Sequence, residues 1–210
     1  METIVLVPGI GLGGAELLVL QWRLRRCGYQ TKIFWTNPWR GTLAEKAKAL
    51  HAMLVESNTE AANLVGHSFG GRVILQMLND FPECRLGRIV TLGSPLTACT
   101  ATDRILRLPG GRWVVGETVT VAATQPQQII PSGREVGSVA GRLNFLVGLV
   151  LCPRKSNDSI IGVDETRHPD LKDHRTLFVS HTGMLTSKRV SDHVVRFLHS
   201  GNFPSDLGAT

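Results

Sequence analysis

Residues 63–75, "NLVGHSFGGRVIL", set a serine between glycines. Gly66-His67-Ser68-Phe69-Gly70 reads G-x-S-x-G, with a strand-like run before it and a helical run after it. In that context the motif marks a sharp strand-to-helix turn that lifts a serine hydroxyl above the carboxyl edge of a sheet. A hydroxyl alone is a poor nucleophile. It needs a base within hydrogen-bond reach, and the base needs an acid to orient it. The chemistry expected of such a set is acyl transfer through a covalent intermediate on Ser68. His67, adjacent to the serine, points away from it in this reading and packs.

Seven histidines compete for the role of base. His51 lies on a helix before the serine. His168 and His174 flank the expected last strand on its amino-terminal side, and His193 and His199 belong to the final helix. Only His181 directly follows a strand, in "RTLFVS" then "HTGM", which places it on the same sheet edge as Ser68. A partner acid comes between serine and histidine in this chain order. Asp158 in "RKSNDSIIGVDET" leads, because its distance from His181 leaves room for one crossover and one strand. Asp164 and Glu165 are fallbacks, and both read more simply as charged loop residues on the surface.

A second glycine motif competes for attention. Gly9, Gly11 and Gly14 in "VLVPGIGLGGAE" fit G-x-G-x-x-G after a strand, the fingerprint of a dinucleotide site. Such a site also needs an acid at the end of the second strand to hold the ribose. No Asp or Glu stands between Glu16 and Glu45, so no nicotinamide cofactor is expected. The loop suits the serine chemistry instead. Acyl transfer builds negative charge on a carbonyl oxygen, which backbone N–H groups stabilise. One donor is Phe69, the residue after the nucleophile. The other comes from Pro8-Gly9-Ile10, with Ile10 N–H first and Gly11 as the alternative.

These residues must be positioned by elements, and the first half alternates regularly. Strand "TIVLV" precedes a helix from about Ala15 to Cys27, with Leu17, Leu20, Leu24 and Cys27 on one face. Strand "TKIFW" leads to a helix opened by a capping box, Thr42 with Glu45, and striped by Leu43, Ala47, Leu50 and Leu54. Strand "ANLVG", the helix of Val73, Ile74, Met77, Leu78 and Phe81, and strand "GRIVTLG" follow. Such alternation implies a parallel sheet covered on both faces. From about 96 to 134 the pattern degrades into turn-rich segments, read as a lid-like insertion. Leu96, Ile105, Leu106, Trp113 and Val114 are its candidate pocket residues. Strands "EVGSVAG" and "TLFVS" then frame a final helix with Val190, Val194, Phe197 and Leu198.

Size and composition set limits. The 210 residues, 42% hydrophobic, suit one α/β domain over 1–204 with a loose tail at 205–210. No apolar run is long enough to span a membrane. Met1-Glu2-Thr3 lacks the basic start of a signal peptide, so a cytoplasmic location is expected, with peripheral membrane contact left open. Cys27, Cys84, Cys99 and Cys152 show no C-x-x-C spacing and read as free buried thiols, without disulfide or metal framework. The net charge is +6, but the arginines are scattered, so a solvated basic surface is expected and no nucleic-acid partner. The oligomeric state is not written in the sequence.

The ordered set of motifs resembles the α/β-hydrolase superfamily, in particular small bacterial lipase- and esterase-like proteins related to GPI inositol deacylases. "LVPGIG" is similar to that family's oxyanion loop, "LVGHSFGG" to its nucleophile elbow, "GRIVTLGSP" to the strand after it, "NDSIIGVDET" to its acid loop and "SHTGML" to its histidine loop. Pro8 stands where histidine is usual, Ser159 where glycine follows the acid, and "LTACT" replaces the familiar continuation after Ser94-Pro95. The resemblance implies a reduced, mostly parallel sheet of about six strands with helices on both faces. It implies a serine hydrolase acting on a small ester with an apolar acyl part, with Ser68, Asp158 and His181 as triad and no cofactor or metal. Thioesterase or acyltransferase chemistry on the same triad is the alternative, as is a silent fold used for binding.

Overall fold

A computed structural model of the chain describes residues 1–11, 13–59, 61–97, 99–123, 128–145, 150–153 and 156–204. The proposed tail at 205–210 lies outside them. Six strands, β1 (Thr3–Val7), β2 (Gln30–Ile33), β3 (Asn63–His67), β4 (Ile89–Leu92), β5 (Val136–Gly141) and β6 (Asp173–Leu177), form one sheet in the order β2-β1-β3-β4-β5-β6. Every pair is parallel. Side chains alternate across each strand, and this separates two cores. Val5 and Val7 face one, packed by Leu43, Leu50 and Leu54 of α2 (Leu43–Glu56) and by Val73, Ile74 and Leu78 of α3 (Phe69–Asp80). Ile4 and Leu6 face the other, covered by α1 (Leu18–Arg26) and by α6 (Lys188–Ser200) through Val190, Val194 and Phe197.

The Thr42 capping box forms as expected. Thr42 Oγ1 accepts from Glu45 N at 3.2 Å, and Glu45 Oε2 accepts from Thr42 N at 2.7 Å. The irregular insertion contains a helical hairpin, α4 (Thr100–Leu106) and α5 (Gly111–Ala123), turned by "LPGG" and kinked at Gly116, whose φ is 78°. Residues 124–127 of that insertion lie outside the description.

Two expectations are corrected. The last strand runs from Asp173 to Leu177 and not through Ser180, so His174 lies within it and His181 stands beyond a short turn. Phe178 is 60% exposed, stacked under the Arg142 guanidinium, because β6 is an edge strand with little cover. Cys27 is exposed at the end of α1 and Cys99 is half-buried, so only Cys84 and Cys152 are buried thiols.

Candidate active site

The polypeptide reverses sharply after β3. Ser68 sits at φ 52°, ψ −122°, a conformation that side chains rarely adopt, and is followed at once by α3. Its N–H is fixed to Leu92 O of β4 at 2.8 Å. The turn is possible only because backbone closes on backbone. A Cβ on Gly66 would lie 2.7 Å from Gly71 N, and one on Gly70 would lie 2.2 Å from Val7 O.

His181 reaches this turn from the loop after β6. Its Nε2 is 3.0 Å from Ser68 Oγ, and its Nδ1 is 2.7 Å from Asp158 Oδ2. A carboxylate only accepts, so Nδ1 carries the hydrogen and Nε2 is left to accept the serine proton. Asp158, from the loop after β5, is fully buried. Its Oδ1 accepts from Ile160 N at 3.0 Å and Ile161 N at 2.8 Å, and its carbonyl accepts from His181 N at 2.9 Å. The acid therefore orients both the ring and the backbone of His181. A hydroxyl, imidazole and carboxylate in this series can pass a proton from oxygen to nitrogen during attack on a carbonyl.

Similar architecture occurs in solved proteins of low sequence similarity. The mature lipase BlEst2 of Bacillus licheniformis superposes with a TM-score of 0.75 at 15% identity, over 94% of this chain and 91% of that one. The metagenomic carboxyl esterase MGS0156 gives 0.69 at 15% identity, over 94% and 75%. The esterase EaEST of Exiguobacterium antarcticum gives 0.69 at 12% identity, over 95% and 92%. No protein-family model matches the chain, and no curated protein matches it in sequence. The chain has the α/β-hydrolase fold. Within that fold the serine, acid and histidine come in the chain order Ser, Asp, His.

The glycine loop after β1 packs against the turn at Ser68. A Cβ on Gly9 would lie 2.9 Å from Ser68 Cβ, so only glycine lets this loop touch the serine. Ile10 and Phe69 both line the cavity over Ser68. Phe69 is the first residue of α3, so its N–H has no partner within the helix. Gly13 and Gly14 serve a different contact, against Thr36 and Ile33 at the end of β2. Among the described residues, no group of three or more His, Cys, Asp or Glu side chains is placed to hold a metal ion.

His67 does pack, and it does more. Its Nε2–H donates to His181 O at 3.2 Å, and its ring lies 4.9 Å from the His181 ring. Burial, and then the neighbouring His181, push its pKa down to about 3. A neutral His67 adds no charge beside an imidazolium forming on His181.

The site opens into a cavity of about 720 Å³ lined by Ile10, Phe69, Ile105, Val119, Ile160 and Leu185 among others. Ile105 is the pocket residue correctly expected in the insertion. Leu96 belongs to the core, Trp113 is 92% exposed, and Leu106 is half-buried outside the lining. The Val114 side chain lies outside the description.

Two contributors escape a reading of the sequence. Glu165 is no surface residue; it is 1% exposed. Its carboxylate accepts from Thr100 N at 2.7 Å, Thr100 Oγ1 at 2.5 Å and Gly162 N at 2.7 Å, joining the acid loop to the start of α4. Asp164 lies beside it in a short 3₁₀ turn. Arg72 lines the cavity from α3. Its signal was its spacing, four residues after Ser68 and therefore on the same helix face.

Proposed function

We propose that the chain is a serine carboxylic-ester hydrolase. The reading rests on the hydrogen-bonded series Ser68–His181–Asp158, assembled from three separate loops at one sheet edge. The esterase and lipase names of its structural neighbours support the same class.

Ser68 Oγ attacks the ester carbonyl carbon while its proton passes to His181 Nε2, and Asp158 stabilises the resulting imidazolium. The N–H groups of Ile10 and Phe69 hold the oxyanion. Collapse of the tetrahedral intermediate breaks the bond to the alcohol, which leaves with the proton from His181. Water then gives a proton to His181, attacks the acyl carbon and frees Ser68 with that proton. The largely apolar cavity accommodates the acyl part. The α4–α5 hairpin forms its wall within a single domain.

A fluorophosphonate probe tests the reading directly. Peptide mass is expected to place one adduct on Ser68, absent in Ser68→Ala. Labelling of His181→Ala is expected to slow by roughly a hundredfold or more. Folded wild-type protein that takes no adduct would favour a binding role for the fold instead.

A further inference from the structure

Arg72 is the unexplained group of the cavity. It lies one helical turn beyond Ser68, with its Cα about 6 Å further along α3. It lines the same cavity as Ser68 and His181, yet the reaction above gives it nothing to do. Its bonds are few. Nε donates to Gln128 Oε1 at 3.2 Å, and Nη2 donates to Ala122 O at 3.0 Å near the end of α5. Both acceptors are neutral. Among the described side chains, which do not include Glu117, no carboxylate lies within ion-pair distance of the guanidinium. Two other acids line the cavity. Glu16 is engaged with Gly14 N at 3.0 Å, and Asp103 is exposed.

A guanidinium carries five donors, and two bonds leave most of them unused. Arg72 is half-buried, and burial pushes its pKa down, the cost of holding a cation without a counter-charge. The cavity that it lines is mainly apolar, with Val119, Ile105 and Phe69 in its wall. A solitary cation in such a wall binds an anion strongly, because the guanidinium fork matches a carboxylate and little water competes.

We infer that Arg72 receives a carboxylate at the far end of the acyl chain, so that the preferred substrates are half-esters of dicarboxylic acids. This rests on the ester-hydrolase reading. The alcohol departs before water enters, whereas the acyl arm stays on Ser68, and a fixed cation one turn away acts on the part that stays. Arg72 is then a specificity residue. Its bonds to Gln128 and Ala122 hold the fork in place.

The test compares p-nitrophenyl half-esters of succinate, glutarate and adipate with p-nitrophenyl butyrate, valerate and hexanoate. At least one anionic ester is expected to exceed its neutral partner in kcat/KM by about tenfold or more. Arg72→Gln is expected to collapse that ratio, and Arg72→Lys to keep part of it. Equal rates on each matched pair, or a ratio untouched by Arg72→Gln, overturns the inference. A purely structural Arg72 would lower both rates together and leave the ratio unchanged. A binding measurement separates this from failure of the hydrolase reading. Titration of Ser68→Ala with monomethyl glutarate and with methyl valerate is expected to show tighter binding of the anionic ester, lost when Arg72→Gln is added. Tighter binding of the anionic ester without turnover of any ester would refute hydrolysis and keep the anion site; equal binding would refute the site.

Discussion

Ser68 carries a backbone cost that a strand or helix residue does not. At φ 52°, ψ −122° a Cβ crowds its own carbonyl, and such conformations cost on the order of 1–3 kcal/mol. Comparing Ser68→Gly with Ser68→Ala isolates that cost, because both lose the hydroxyl and its bond to His181. The glycine variant is expected to be the more stable by about 1 kcal/mol, read from urea midpoints. Equal midpoints would mean that the turn is relaxed. Ser159 also has positive φ, at 92°, and there the side chain compensates: its Oγ accepts from Phe145 N at 2.8 Å. Ser68 is marked in the sequence by its flanking glycines, a local feature, whereas Asp158 and His181 are picked out by chain order; the structure brings the three side chains within hydrogen-bond distance. Burial is not local, so Glu165 looked like a surface charge until Thr100 and Gly162 were found donating to it.

Among the elements, those with strong local signals were read to within a residue or two. β1 ends where Pro8 begins, and α2 starts at the Thr42 cap. The Thr42→Ala variant is expected to lose about 1 kcal/mol of stability, measured by urea unfolding, with fluorophosphonate labelling of the folded protein unaffected. The turn at Ser68 behaves differently, since it depends on close approach and not on propensity. Gly70→Ala would push a methyl into Val7 O and Pro8 O, both backbone atoms of β1 and its loop. It is expected to cost about 3 kcal/mol and to slow labelling, because the displaced loop carries Ile10. A stable, normally labelled Gly70→Ala would show that the two loops are not in register. β6 was misread because an edge strand need not be apolar. "DHRTL" carries the ladder, while the more hydrophobic "TLFVS" runs off its end.

At the scale of the whole molecule, the site follows from topology. β1 has β2 on one side and β3 on the other, so the chain's winding reverses between β1 and β3. In open parallel sheets a crevice forms outside the carboxyl ends at that point, and here Gly9 and Ser68 meet across it. Alternation of strands and helices made the sheet legible. The 96–134 insertion was legible as a lid or pocket wall, but its two helices, α4 and α5, were not, because they are short and divided by glycines. The fold also encloses two histidines that resist protonation. His67 is held near pKa 3, first by burial, and His174 near 4, first by burial and then by Arg167. An unfolded histidine titrates near 6.5. Between that value and the folded pKa the unfolded state binds more protons, so falling pH favours unfolding. The stability that these neutral rings permit is complete above about pH 6.5 and declines towards pH 4. Urea midpoints at pH 7.5, 6.5, 5.5 and 4.5 are expected to drop progressively below 6.5. His174 sits away from Ser68, in β6, with Nε2 2.8 Å from Thr166 Oγ1. His174→Gln removes one of the two titrations and is expected to flatten the decline while keeping a partner for Thr166. An unchanged slope would place the acid sensitivity outside His174.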